Sequence, residues 1–217
     1  MASAQPDNAA VHVALAEALL SQSRWPEAVE AAKPADVGGM AGPAAQSLLF
    51  GAIMAGDQAA YEDGLGRARA AGVDPTQVDV FQSWHALQSG GPAATSLPAG
   101  AAPLAGTILE ALLRVEEFEA FEKLAPLMDK VALPSRERRE AMAQIYFRRG
   151  YLESAADEWV AAVQESGPDT RALLGLAQVA YAREMPEDAA LFAAEVQALE
   201  PGHAGAARLI AACSPAV

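Results

Sequence analysis

The sequence predicts an all-α fold of stacked helical hairpins. Three observations point there: a phrase recurring every 34 residues, a surplus of alanine and a shortage of strand formers. Aligned on that spacing, Ile108, Met142, Leu176 and Ile210 share one column, and Leu109, Ala143, Ala177 and Ala211 share the next. Alanine makes up roughly a quarter of the residues; it is the best helix former and lets two helices approach closely. Aromatic residues are only 6% of the chain and Val or Ile runs are few, so a sheet has little to support it.

The elements follow in chain order. Pro6-Asp7-Asn8 reads as the closing phrase of a preceding repeat, which suggests a chain excised from a larger protein. Leu15, Ala16, Leu19, Trp25, Pro26, Glu27 and Ala28 outline a first hairpin, and Ala44 to Ala71 outline a weaker second one around Leu48, Ala52 and Gly56-Asp57. Val78 to Gln88 reads as a first helix carrying Trp84, but Ser89 to Ala102 is rich in Gly, Pro, Ala and Ser where a second helix is due. A truncated repeat is favoured there over a linker, because both flanks stay helical.

From Leu104 the phase is regular. Ile108, Leu109, Leu112, Phe118, Ala125 and Met128 form one hairpin, although Pro126 falls inside its second helix and should kink it. The next unit carries Met142, Ala143, Tyr146 and Phe147, breaks at Gly150, and continues with Ala155, Trp159 and Ala162. Leu176, Ala177, Ala180 and Tyr181 repeat the first helix; Ala189, Ala193 and Val196 repeat the second, which Pro186 opens at the position where a missing N–H costs nothing. A last helix, His203 to Cys213, suits a cap over the final repeat.

These residues resemble the tetratricopeptide repeat (TPR) family in a degenerate, bacterial-type form. Its pattern puts a large apolar, a small and an aromatic residue in the first helix, small residues in the second and a proline at the end. The resemblance rests on Met142, Ala143, Tyr146, Gly150, Ala155, Trp159 and Ala162, and on Leu176, Ala177, Ala189 and Pro201. Phe121 departs from it, standing where the family prefers alanine. The resemblance implies a right-handed helical-hairpin solenoid over 1–217 with about six repeats, one of them truncated. Repeats are irregular over 9–102 and regular over 103–202, with a capping helix at 203–213.

Composition narrows the function. A formal net charge of −13 repels phosphate, so nucleic acid is disfavoured as a partner. No apolar run reaches the roughly 18 residues of a membrane span; a soluble chain is expected, with a cytoplasmic location favoured. Cys213 is the single cysteine. His12, His85 and His203 are far apart and read as isolated surface residues, and no phosphate loop, dinucleotide motif or nucleophile elbow occurs. No catalytic residue, cofactor or metal is expected. The acidic pairs Glu62-Asp63 and Glu116-Glu117 are placed near helix starts, where they complement the dipole.

The family lines its concave groove with first helices. Carried over by register, this names Phe50, Ile53, Met54, Trp84, Leu87, Glu110, Leu113, Arg114, Gln144, Phe147, Arg148, Gln178 and Tyr181. Gln144 and Gln178 are equivalent, one repeat apart; they are either a short amide ladder for a peptide backbone or ordinary solvated side chains. Arg114 and Arg148 are likewise equivalent, with Arg149 and Arg183 one place on, and read either as dipole partners of helix C-termini or as an anion site. Three lysines and one asparagine do not meet the family's carboxylate-clamp pattern. Trp159 is expected in the core and Trp25 at the hairpin turn, while Trp84 stays open between core and groove. The expected function is a protein- or peptide-binding scaffold. The alternative is a substrate-positioning accessory domain of an enzyme, a glycosyltransferase or thioredoxin-like fusion. Self-association is a third reading.

Overall fold

The computed structural model describes residues 8–35, 38–92 and 94–214; Pro6 and Asp7 of the N-terminal phrase lie outside them. The described residues form twelve α-helices, which group into two compact units, Met1–Ala132 and Leu133–Val217.

In the first unit, α1 (Ala9–Leu20) pairs with α2 (Trp25–Ala32) and α3 (Ala41–Ala55) with α4 (Gln58–Ala70). Asn8 caps α1 by accepting from the N–H groups of Ala10 and Val11, and Asp57 caps α4 by accepting from that of Ala60. Helix α5 (Pro75–Gln88) starts on an Asp74 cap with Pro75 in its first turn. No α-helix follows it between Ser89 and Ala101 among the described residues. Instead the chain runs extended through Leu97, which makes an isolated parallel bridge to Val131. The Leu97 N–H donates to the Lys130 carbonyl at 2.7 Å, and the Ala132 N–H donates back to the Leu97 carbonyl at 2.8 Å. Helix α6 (Ala102–Arg114) then pairs with α7 (Phe118–Leu124). Helix α7 ends two residues before Pro126, and the chain continues as a 3₁₀ stretch, Ala125–Lys130, as the missing N–H requires.

The second unit holds α8 (Ser135–Arg148), α9 (Leu152–Ser166), α10 (Thr170–Ala182), α11 (Pro186–Leu199) and α12 (Ala204–Cys213). Each helix packs on the next, α8 on α9, α9 on α10, α10 on α11 and α11 on α12, and α10 also touches α8 and α12. The aligned columns are the core. Met142, Ala143, Leu176 and Ala177 are buried, as are Ala155, Trp159, Ala162, Ala189, Ala193 and Val196 on the second helices. Ala211 is exposed, because α12 has no later helix to cover it among the described residues.

One turn geometry recurs at the repeat spacing. Glu116, Gly150 and Glu184, each between a first and a second helix, adopt left-handed backbone angles with φ of 61°, 83° and 60°. Ser23 and Gly56 do the same in the first two hairpins, at 56° and 67°. Glycine enters that region without strain; serine and glutamate do not.

Three readings of the sequence are corrected. His203 is no idle surface residue: its Nδ1 accepts from the Ala206 N–H at 3.1 Å and caps α12. His85 stacks on Tyr61 with ring centroids 3.8 Å apart. Glu62 and Asp63 lie inside α4, where Glu62 accepts from the Gln58 amide and Asp63 pairs with Arg67, so they are bonded one turn along the helix.

Candidate interaction grooves

Each unit carries a concavity built from first helices. In the first unit a cavity of about 530 Å³ is walled by α1, α3, α5 and α6. Its apolar lining includes Leu20, Phe50, Phe81, Leu104 and Ile108, and its polar lining includes Glu17, Gln46, Ser47 and Arg114. Phe50 is held by aromatic contact on two sides, with Trp25 at 5.9 Å and edge-on to Trp84 at 4.9 Å. Met54 and Leu87 are half-buried and do not line the cavity.

Trp84 is corrected as a groove residue. Helix α5 is packed by α3, α4, α6 and α7, which leaves its indole 0% exposed and unable to meet a ligand. Ile53 and Leu113 are core residues for the same kind of reason, since both are covered by neighbouring helices.

In the second unit Gln144, Phe147, Arg148 and Gln178 line one groove of about 670 Å³ between α8 and α10. Phe147 packs edge-on against Trp159, centroids 5.8 Å apart, and Trp159 closes the floor from α9. The Gln144 and Gln178 side chains make no hydrogen bond among the described residues, so both amides are available to a ligand. Tyr181 is 47% exposed but lines a separate depression with Glu184 and Pro186. Arg183 faces Glu153 at 3.6 Å rather than the groove, so the arginine row does not converge here.

The groove wall is braced by charge. Glu140 receives Arg136 at 3.0 Å and faces Arg171 at 3.6 Å, while Arg136 also pairs with Asp169, the cap of α10. On the opposite flank Arg139 bridges Glu165 at 3.0 Å and Glu158 at 3.1 Å. The Ser135 hydroxyl and the Arg139 guanidinium hold the Glu165 carboxyl below its ordinary pKa, and the same contact raises that of Arg139. Glu137, Glu140, Arg148 and Arg171 balance in formal charge, which leaves a neutral, mixed surface.

Sequence reasoning missed Glu17, Gln46, Ser47 and Phe81 in the first cavity, and Glu140 and Arg171 in the second. Glu17 was legible, because it occupies in α1 the register place that Glu110 holds in α6. Among the described residues no group of three or more His, Cys, Asp or Glu side chains could hold a metal ion. No helix among them is long and apolar enough to cross a membrane.

The geometry defines a class: a TPR-like, all-α array of helical hairpins. No family profile matches the chain, and no curated protein matches it. Among solved structures it is similar to one described as "Crystal structure of APC/C hetero-tetramer Cut9-Hcn1", at 16% identity and a TM-score of 0.40. That similarity covers 98% of this chain and 44% of the other, so this chain spans less than half its length.

Proposed function

We propose that the chain is a protein- or peptide-binding module whose contact surfaces are the first-helix concavities of its two units. The observation that carries this reading is the groove between α8 and α10. It gathers two unbonded amides, an exposed guanidinium and an aromatic ring over a floor fixed by Trp159. Glutamine amides both donate and accept, as an extended backbone demands, and a half-buried phenylalanine gives an apolar side chain a place to rest. The braced wall keeps the groove preformed, which lowers the ordering cost of binding.

Replacing Gln144, Arg148 and Gln178 together by alanine should abolish capture of the partner from an extract of the source cell and leave helical circular dichroism unchanged. Capture at the wild-type level would refute the groove as the binding surface.

A further inference from the structure

Helix α11 of the second unit carries an apolar stripe that its own packing does not use. Its buried side is Ala189, Ala193 and Val196. On the other side Leu191 and Leu199 are 59% and 54% exposed, with the exposed Ala194 and Ala198 between them at helical spacing. The same register places of α9, 34 residues earlier, hold Asp157, Val160, Gln164 and Glu165, three of them polar. The repeat therefore does not demand an apolar surface here. The surroundings carry one sign of charge: from Glu184 to Ala207 the sequence has five carboxylates, Glu184, Glu187, Asp188, Glu195 and Glu200, and no lysine or arginine. None of the five is in an ion pair among the described residues, and the preceding Arg183 faces Glu153 instead. The stripe is separate from the groove between α8 and α10, which none of these residues lines.

We infer that this outer face of α11 docks an amphipathic helix of a partner protein, apolar along one stripe and basic along its edges. Leu191 and Leu199 stand about 12 Å apart along the axis, at about 1.5 Å per residue, and the two alanines between them let a second helix approach closely. Glu187 and Glu195 lie on opposite sides of Leu191, each about 40° round the helix at about 100° per residue, so an occupant meets a carboxylate on both flanks. Lysine or arginine there completes the charge, and leucine-sized side chains cover the stripe. The backbone of α11 is bonded within its own helix and offers an extended segment nothing to pair with, so the occupant must satisfy its own backbone, as a helix does. A second copy of this chain would set the same carboxylates against each other across a two-fold contact, and an anionic bilayer is repelled by them.

The test titrates the full chain into a fluorescein-labelled amphipathic helical peptide of leucine and lysine, about four turns long, followed by anisotropy. Two controls accompany it: the same peptide with glutamate for every lysine, and one of the same composition scrambled so that no apolar stripe forms. The leucine–lysine helix should bind, and both controls should bind roughly tenfold or more weakly. Replacing Leu191 and Leu199 together by glutamine should weaken binding about tenfold with unchanged circular dichroism, since both side chains are exposed. Glu187→Gln with Glu195→Gln should weaken it several-fold and flatten its salt dependence. The variant lacking Gln144, Arg148 and Gln178 should bind this peptide as the wild type does. No binding, equal binding of the scrambled or acidic peptide, or full binding by the leucine variant would overturn the assignment. Loss of binding in the groove variant would move the peptide to the α8–α10 groove, and a dimer in sedimentation that the leucine variant abolishes would give the face to a second copy; either result also overturns it. Capture of partner through the groove is measured separately and stands or falls on its own.

Discussion

Gly175 and Trp159 set up a sharp test of how the second unit is packed. A methyl group placed on Gly175 would sit 2.2 Å from Trp159 Cε2, 2.5 Å from Cδ2 and 2.6 Å from Cζ2. Carbon atoms in contact prefer about 3.5–4.0 Å, so more than an ångström of movement is needed. Neither side can yield cheaply. Trp159 is 1% exposed and braced by Phe147, and Gly175 lies on the backbone of α10 among buried neighbours. Overpacking of this kind costs about 1–3 kcal/mol, and a ring this rigid puts the cost at the upper end. Alanine recovers about 1 kcal/mol of helix propensity over glycine. Gly175→Ala should therefore destabilise by about 2 kcal/mol, and Trp159→Ala by about 3–5 kcal/mol. In the Trp159→Ala background the new methyl enters empty space, so the same glycine change should stabilise by about 1 kcal/mol, a coupling of about 3 kcal/mol. Urea unfolding followed by circular dichroism at 222 nm measures all four corners; Trp159→Leu serves if the alanine variant does not fold. Additivity within about 0.5 kcal/mol would refute the claim that glycine at 175 exists to seat the indole.

Two further predictions concern the turns and the charge bridge. Glu116→Gly and Glu184→Gly should each stabilise by up to about 1 kcal/mol, because a left-handed residue other than glycine is strained by about 1–2 kcal/mol and glycine gives back about half of that as unfolded-state entropy; an unchanged or lower urea midpoint would contradict this. The Glu165 carboxyl has its pKa lowered from 4.5 by the Ser135 hydroxyl and Arg139, so its contribution to stability is present above that value and lost as pH falls through the lowered one. Glu165→Gln should therefore lower the melting temperature at neutral pH, with the difference from wild type closing as the pH falls through that lowered value. A difference independent of pH would exclude the bridge.

What could be read in the sequence was read where the repeat is in phase. Trp159, Ala143 and Ala155 fall in the core because a 34-residue period assigns each a facing helix, and Pro126 ends α7 by a rule that needs no tertiary information. Trp84 could not be placed, since its neighbours come from α3, α4, α6 and α7, and a missing second helix removes the register that would identify them. Ile53 and Leu113 were assigned by a register too coarse to separate two adjacent faces of one helix, where a shift of a single position moves a side chain by about 100°. Phe50, Arg114, Gln144 and Gln178 do line concavities, but which of them share one is a property of how the hairpins stack, and it is carried by contacts far apart in the chain.

Repeat arrays ordinarily fray from either end, because each unit answers only to its neighbours. The pairing of Leu97 with Lys130 and Ala132 works against that in the first unit. It fastens the chain before α6 to the chain after α7, so that hairpin is enclosed in a backbone loop and cannot peel away without breaking both bonds. Opening there should be concerted. Amide protons of α5, α6 and α7 are then expected to exchange as one cooperative group, a behaviour nearer to a closed globular domain than to a chain of beads.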